Sequence, residues 1–483
     1  MNTPIRRVGF VVLIMFLALM AQTTWVQYVQ AGDLNADSRN ARTIYREYGR
    51  DRGPIVVDGQ PVAYSKEGKD PFAYQRVYDQ GELYSHVTGY FSVVFQATGI
   101  ENAENDVLNG SDDSLLWSRI RTLITGGEQR GGTVELTIDP RAQQAAFDGL
   151  GGQRGAAVAL DPRTGAVLAM VSTPSFNPNA LASHDTTEVA KAHEELLNRE
   201  DQPLINRAIA GDQYPPGSTF KLIDLAMVLE SGDYDADTVV DAPTTLELPN
   251  SERTIQNPGG ATCGSNEEAT LEHALTVSCN TPFAQLAMDF GADELREQAE
   301  AFGFGQDLSI PLRVSPSRFG SPDDDAQVAM SAIGQFDVRA TPLQMAMVSA
   351  AIANEGVLMT PYLVDTYRGS DLRVTFEAKP EEFSQPISSS TAETMREMMT
   401  KVVKEGTGRP GQIPGVEVAG KTGTAQTGTE QAQHAWFTAF APADDPQVAV
   451  AVVVENGGSL GSEATGAKVA APIAKQIMEA VIE

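Results

Sequence analysis

Basic charge is scarce in this sequence. Against 64 Asp and Glu, its 483 residues hold only 35 Lys and Arg, a formal net charge of −29. A nucleic-acid binder needs a basic surface, so that class is set aside. The acidic excess describes a soluble, highly charged exterior and says nothing about chemistry. Histidine and cysteine are scarcer still, at five and two. No Cys/His cluster has the spacing of metal ligands, so no metal and no other cofactor is expected.

Long apolar runs are nearly absent too. Val8 to Ala21 is a 14-residue apolar core, short for a membrane span. Continued to Val29 it reaches 22 residues, about 33 Å as helix. Trp25 and Tyr28 would then suit the outer interface. A cleaved signal peptide is the rival, but Ala18-Leu-Met20 puts a large residue where a cleavage site wants a small one. Residues 1–30 are therefore expected to form a cytoplasmic stub and an uncleaved anchor. Arg6 and Arg7 would keep the N-terminus inside a cell membrane crossed once, with the rest of the chain outside.

What the chain does have begins with punctuation. Residues 31–152 are polar and mixed, with short apolar runs (Ile55–Val57, Phe91–Phe95) and turn signals at Asp58-Gly59, Asn109-Gly110 and Gly126-Gly127. They carry no catalytic constellation and are expected to be a non-catalytic structural or docking module. Thr133–Asp139 alternates like a strand, and Pro140–Leu150 is helix-like. A second domain, 153–483, opens with a hairpin, Gly155–Leu160 and Ala166–Val171 around Asp161-Pro-Arg-Thr-Gly165. Its middle, from 180 to 400, is expected to be mainly helical, including Thr341–Ile352 with Pro at the helix start. Strands return at Ala435–Phe440 and Val448–Val454, and a last helix is expected over Ala467–Ile482. Strands at both ends of a helical middle indicate an α+β domain whose sheet is closed by its two ends.

Three short motifs lie in that second domain. Tyr214-Pro-Pro-Gly-Ser-Thr-Phe-Lys221 contains the chain's one Ser-x-x-Lys. The apolar run after it reads as a buried helix ending near Gly232, which puts Ser218 and Lys221 on one face of its first turn. A serine needs a base before it can attack, and a desolvated Lys221 would supply one. Ser278-Cys-Asn280 follows 60 residues later. Ser278 could relay a proton to a leaving group, and the Asn280 amide could hold Lys221 and a substrate carbonyl. Lys421-Thr-Gly-Thr424 is placed at a strand end, where Lys421, Thr422 and Thr424 would grip a substrate carboxylate. Gly423 would let substrate backbone approach. The N–H groups of Ser218 and Thr424 would share an oxyanion.

Each motif alone is weak, and an ordinary helix start with a capping serine and a solvated lysine would explain the first. All three in this order, behind a membrane anchor, resemble the serine penicillin-recognising family, and specifically its class B penicillin-binding proteins. Further phrases carry the same resemblance: Val158-Ala-Leu-Asp-Pro-Arg-Thr-Gly165, Ile333-Gly-Gln335, Ala340-Thr-Pro-Leu-Gln344 and Arg52-Gly-Pro-Ile55. The layout is most similar to actinobacterial members.

The resemblance implies a serine β-lactamase/transpeptidase-like domain, an antiparallel sheet flanked by helices, beside a smaller N-terminal pedestal. It implies that Ser218 attacks the D-Ala-D-Ala carbonyl of a peptidoglycan stem peptide and passes the acyl group to a neighbouring amine, and that β-lactams acylate Ser218. It further implies a partner that supplies glycan strands, a polytopic SEDS-type glycosyltransferase, alongside other cell-wall synthesis machinery. An elongation and a division role stay equally open.

The exterior this implies is oxidising, where a disulfide can persist. Cys263 and Cys279 would then form a bridge bracing Ser278 and Asn280, the alternative being two buried free thiols. A serine β-lactamase or D,D-carboxypeptidase shares all three motifs, but no dedicated deacylating base stands out. A silent scaffold is at odds with the full Ser, Lys, Ser, Asn, Lys set. A β-lactam sensor would carry a cytoplasmic output domain, for which the seven residues ahead of the apolar run are expected to leave no room.

Overall fold

The computed structural model describes residues 2–30, 48–68, 72–112, 130–211, 213–426 and 432–483. The expected turn at Gly126-Gly127 lies outside them. An α-helix over Asn2–Thr24 runs on through a π turn, Trp25–Val29. Within it Pro4–Val29, 26 residues of mean hydropathy 2.0, is long and apolar enough to cross a membrane, and none of it is buried.

The N-terminal module is built on a six-stranded sheet. Asp58 and Gly59 both adopt positive φ, 47° and 69°, the combination a two-residue hairpin turn requires. They join Ile55–Val57 to Gln60–Glu67, and Tyr74–Tyr78 adds the next antiparallel strand. On its other side Ile55–Val57 pairs in parallel with Thr133–Leu136. Two strands from far downstream, Val364–Arg368 and Val374–Glu377, complete the sheet. The run Phe91–Phe95 is not one strand: only Phe91–Ser92 pairs, with Gln96–Ala97, around a tight turn.

Inside this module Glu101, fully buried, receives Arg52 Nε and Arg76 Nε at 2.6 Å each. Tyr78 OH donates to the same carboxylate at 3.1 Å. Removing water pushes the Glu101 pKa up, but the two guanidiniums outweigh it and hold the group below the usual carboxylate range.

The second sheet has five antiparallel strands in the order Ala419–Ala425, His434–Ala441, Val448–Val454, Gly155–Leu160, Val167–Thr173. The two ends of the domain therefore meet at its centre, with Val454 opposite Gly155 and Ala449 opposite Leu160. Every residue of these two central strands is buried, as their unbroken Ala/Val sequences require of strands covered on both faces. Pro140–Leu150 and Ala470–Ile482 cover one face. Asp139 starts the first of these helices, accepting from Arg141 N and Ala142 N ahead of Pro140 at N1. Pro342–Ala353 covers the other face, with all residues from Pro342 to Ile352 buried.

The two sheets do not divide the chain at 152. Helix Pro140–Leu150, on the N-terminal side of that cut, packs on the five-stranded sheet, and residues 364–377 pair in the six-stranded one. Apolar periodicity reports that a helix has a buried face, not which sheet covers it. The middle also holds more strand than expected, in pieces of two to five residues such as Thr245–Glu247, Thr254–Gln256 and Glu268–Thr270. Such pieces are too short to display a period of two.

Candidate active site

Ser218 sits where Pro215-Pro216-Gly217 turns the chain toward the edge strand Ala419–Ala425. Its turn is a separate 3₁₀ segment, Gly217–Thr219, and the α-helix begins only at Lys221, running to Glu230. The expected single helix start is thus two pieces. Gly217, with φ 55°, is pressed so closely to the edge strand that a Cβ there would lie 2.8 Å from Thr424 O. The turn is fixed by Gly217 N donating to Gly334 O at 3.0 Å and Trp436 Nε1 donating to Pro215 O at 3.1 Å. Just upstream, Tyr214 OH and Arg207 Nε both donate to buried Glu455, at 2.7 Å each.

The helix sends Lys221 into a fully buried position. Its Nζ donates to Ser278 O at 2.9 Å and to Asn280 Oδ1 at 2.7 Å. Burial drives its pKa well below the ordinary lysine value, Lys421 adds to the fall, and Asp224 opposes it. Lys421 is equally buried, and loss of water brings its pKa down to about 7. Its Nζ donates to Ser278 Oγ at 2.7 Å and to Thr422 O at 2.9 Å. Ser278 thus joins the two lysines, one through its carbonyl and one through its hydroxyl. It does so with φ 64°, a left-handed conformation that costs a non-glycine residue roughly 1 kcal/mol.

Lys421-Thr-Gly-Thr424 lies inside the edge strand rather than at its end. Alternation along the strand sends Lys421 and Gly423 inward and Thr422 and Thr424 to the open face. Lys421 stands behind the cleft on Ser278, so a ligand carboxylate would meet Thr422 and Thr424. A Cβ at Gly423 would meet Pro216 O and Thr219 Cγ2 at 2.9 Å each. Its missing side chain makes room for the chain's own serine turn. Thr422 Oγ1 shares a 2.7 Å hydrogen bond with Thr407 Oγ1.

A cleft of about 910 Å³ opens over these groups. Ser218, Ser278, Asn280, Thr422 and Thr424 line it with residues 254–260, Gln335, Thr407 and 465–467, and among the described lining residues no side chain is charged. Residues 254–260, the hairpin strand Thr254–Gln256 and the turn after it, carry no motif in the sequence. Asp224 was missed as well. Its carboxyl is fully buried one turn after Lys221 with neither oxygen hydrogen-bonded, and loss of water holds its pKa well above the usual range. A Gly-x-Ser-x-Gly run with nucleophile-elbow spacing, Gly457–Gly461, was passed over in the sequence; it lies in an irregular segment after Val448–Val454, with Gly457, Gly458 and Gly461 at positive φ and Ser459 exposed.

Cys263 and Cys279 are disulfide-bonded, Cα 5.9 Å apart, which ties the segment after the 254–260 loop to the residue between Ser278 and Asn280.

With this geometry in view, the chain can be set beside known proteins. The penicillin binding protein transpeptidase domain matches residues 155–479, and the penicillin binding protein A dimerisation domain matches residues 52–134. The peptidoglycan D,D-transpeptidase PbpA of Mycolicibacterium smegmatis is 44% identical over 491 residues, covering 100% of this chain and 99% of the relative. Its namesake from Mycobacterium tuberculosis is 42% identical over 492 residues with the same coverage. A solved structure of penicillin-binding protein A from M. tuberculosis, a ceftriaxone acyl-enzyme complex, matches with a TM-score of 0.88 at 42% identity, over 91% of this chain and 100% of that one.

Proposed function

The chain belongs to the class B penicillin-binding protein transpeptidases, and we propose that it cross-links peptidoglycan stem peptides through an acyl-enzyme on Ser218. The observation that carries the residue assignment is Lys221, an amine stripped of water three residues from Ser218 and held by two carbonyl oxygens rather than a carboxylate. Such an amine is biased toward its neutral form and can take the Ser218 hydroxyl proton. The freed Oγ attacks the penultimate D-alanine carbonyl. The negative charge on that carbonyl oxygen falls to the N–H groups of Ser218 and Thr424, a reading supported by the packing of Gly217 against Thr424.

Collapse breaks the D-Ala-D-Ala bond and leaves an ester on Ser218. Ser278, whose Oγ accepts from Lys421, relays a proton to the departing D-alanine amine, giving up its own and taking in its place the one Lys221 removed from Ser218. Thr422 and Thr424 hold the terminal carboxylate, and Asn280 keeps Lys221 in place. An amine from a second stem peptide then attacks the ester, forming the cross-link and returning the proton to Ser218. A β-lactam enters at the first step, its ring opening onto Ser218. The absence of a carboxylate among the described cleft-lining residues favours slow release of such an adduct over hydrolysis.

The apolar helix Pro4–Val29 would anchor the chain as a single pass, Arg6 and Arg7 inside and the catalytic domain outside. Family resemblance alone supports a SEDS-type glycosyltransferase as the source of glycan strands.

Intact-protein mass spectrometry of the full-length chain in detergent, with and without benzylpenicillin, tests the assignment. A stable added mass on the wild type and none on Ser218→Ala is expected. Penicillin consumed without an adduct would replace the reading with a β-lactamase, and intact penicillin with no adduct would replace it with a silent scaffold.

A further inference from the structure

We infer that Asn257 is a positioning residue of this active site, one that takes over the capping of a helix so that Asn280 is free to serve Lys221. The inference rests on the assignment of Lys221 as the base for Ser218.

Asn280 is the residue immediately before helix Thr281–Phe290. An asparagine in that place ordinarily turns its carboxamide back onto the first unbonded N–H groups of its own helix. Here its side chain makes no capping bond. The carboxamide points the other way, Oδ1 accepting from Lys221 Nζ at 2.7 Å and Nδ2 donating to Gln256 O at 2.7 Å.

The cap comes from Asn257, 97% buried immediately after the second strand of the hairpin Thr245–Glu247/Thr254–Gln256. Its Oδ1 accepts from Asn280 N at 2.8 Å, Thr281 N at 3.1 Å and Thr281 Oγ1 at 3.2 Å, and its Nδ2 donates to Pro243 O at 3.2 Å. One buried carboxamide therefore fixes the Asn280 backbone and answers the helix N-terminus. The neighbouring Gln256 carbonyl orients the Asn280 side chain so that an acceptor, not a donor, faces Lys221. Were the amide reversed, an N–H group would confront the lysine and the Nζ would lose one of its two holds. The hairpin is thus part of the catalytic apparatus although no atom of Asn257 touches a reacting group.

The test follows the full-length wild type, Asn257→Leu and Asn257→Asp with a fluorescent penicillin, reading separately the fraction that acylates and the rate constant at saturation. Leucine removes the acceptor while keeping the branched shape, and the rate constant should fall about 100-fold, the scale of a misplaced catalytic group. Aspartate keeps an acceptor in place and should stay within about 5-fold of wild type, the worth of the single bond to Pro243 that it cannot make. If Asn257→Leu does not fold, Asn257→Gln, which displaces the acceptor by a methylene, takes its place with the same expected direction. A smaller acylating fraction with an unchanged rate constant would make Asn257 a purely structural residue and overturn the inference. So would Asn257→Asp as slow as Asn257→Leu. A wild type that never acylates would instead remove the Ser218 assignment, and this inference with it.

Discussion

Burial acts in opposite ways on two groups of charge-bearing side chains, one in the N-terminal module and one in the active site. In the N-terminal module Arg52 and Arg76 clasp Glu101 from two sides, and the carboxylate stays ionised despite losing its water. In the active site Lys221 and Lys421 are buried as completely, yet their hydrogen bonds go to carbonyl and hydroxyl oxygens. The one carboxyl that acts on Lys221, Asp224, has neither oxygen bonded. A buried charge with an opposite partner becomes a staple. A buried amine without one gives up its proton, and is thereby fitted to take one from a serine.

Breaking the amine side of this comparison should have the largest effect. Lys221→Met keeps the volume and removes the base, and acylation of the folded protein by benzylpenicillin should slow by roughly 10³-fold, read by stopped-time mass spectrometry. Its denaturation midpoint should not fall, because the loss of the bonds to Ser278 O and Asn280 Oδ1 is offset by no longer burying an amine without a carboxylate bonded to it. A rate within a factor of about ten of wild type would take the general-base role away from Lys221.

The staple side should fail differently. Glu101→Ala leaves two guanidiniums buried without their carboxylate, and a loss of about 3–5 kcal/mol of stability is expected in urea unfolding. The fraction still folded should acylate at the wild-type rate. Since the folded Glu101 pKa is lowered, wild-type stability from this group is present above the unfolded carboxylate pKa and lost as pH falls through the folded one. The variant should lack that acid-dependent component. Slowed acylation in Glu101→Ala would mean that the two regions are coupled.

The finest distinction lies in the pH dependence of Lys421. Its folded pKa, about 7, lies below the ~10.4 of an unfolded lysine. Between those values the unfolded chain binds the extra proton, so wild-type stability rises with pH. Lys421→Met should therefore be the more stable protein near pH 7, by about 2 kcal/mol once the lost bond to Ser278 is counted. That advantage should shrink steadily toward pH ~10. A gap independent of pH would show that the amine is charged throughout, and the two regions would no longer be opposites.

Much of the site was legible because its residue types are out of place. Ser218 interrupts a Pro-Pro-Gly turn ahead of an apolar helix, and Lys421 and Thr422 interrupt an otherwise strand-like stretch. Spacing and order then linked them to Ser278 and Asn280. Asn257 and Asp224 gave no such signal. An asparagine before Pro-Gly-Gly is an ordinary turn residue, and an aspartate in the first turn of a helix is an ordinary dipole partner. Gly423 carries a related ambiguity: a glycine announces close approach, and nothing local says whether ligand or chain approaches.

The same division holds for the whole molecule. The sequence by itself determined the elements whose cause is local: the apolar N-terminal helix, the Asp58-Gly59 hairpin, the capped helix at Pro140–Leu150, the Val/Ala-rich central strands, and which motifs exist and in what order. Only the tertiary structure decided that residues 364–377 join the N-terminal sheet, that Lys421 stands behind Ser278, and that Asn257 caps a helix 23 residues away. Local conformation follows from φ/ψ preference and the periodicity of burial, which a stretch of chain carries within itself. Desolvation and hydrogen-bond partnership depend on what the rest of the chain brings within a few ångströms. The proton affinity of a buried lysine, on which the proposed chemistry turns, is a property of that surrounding alone.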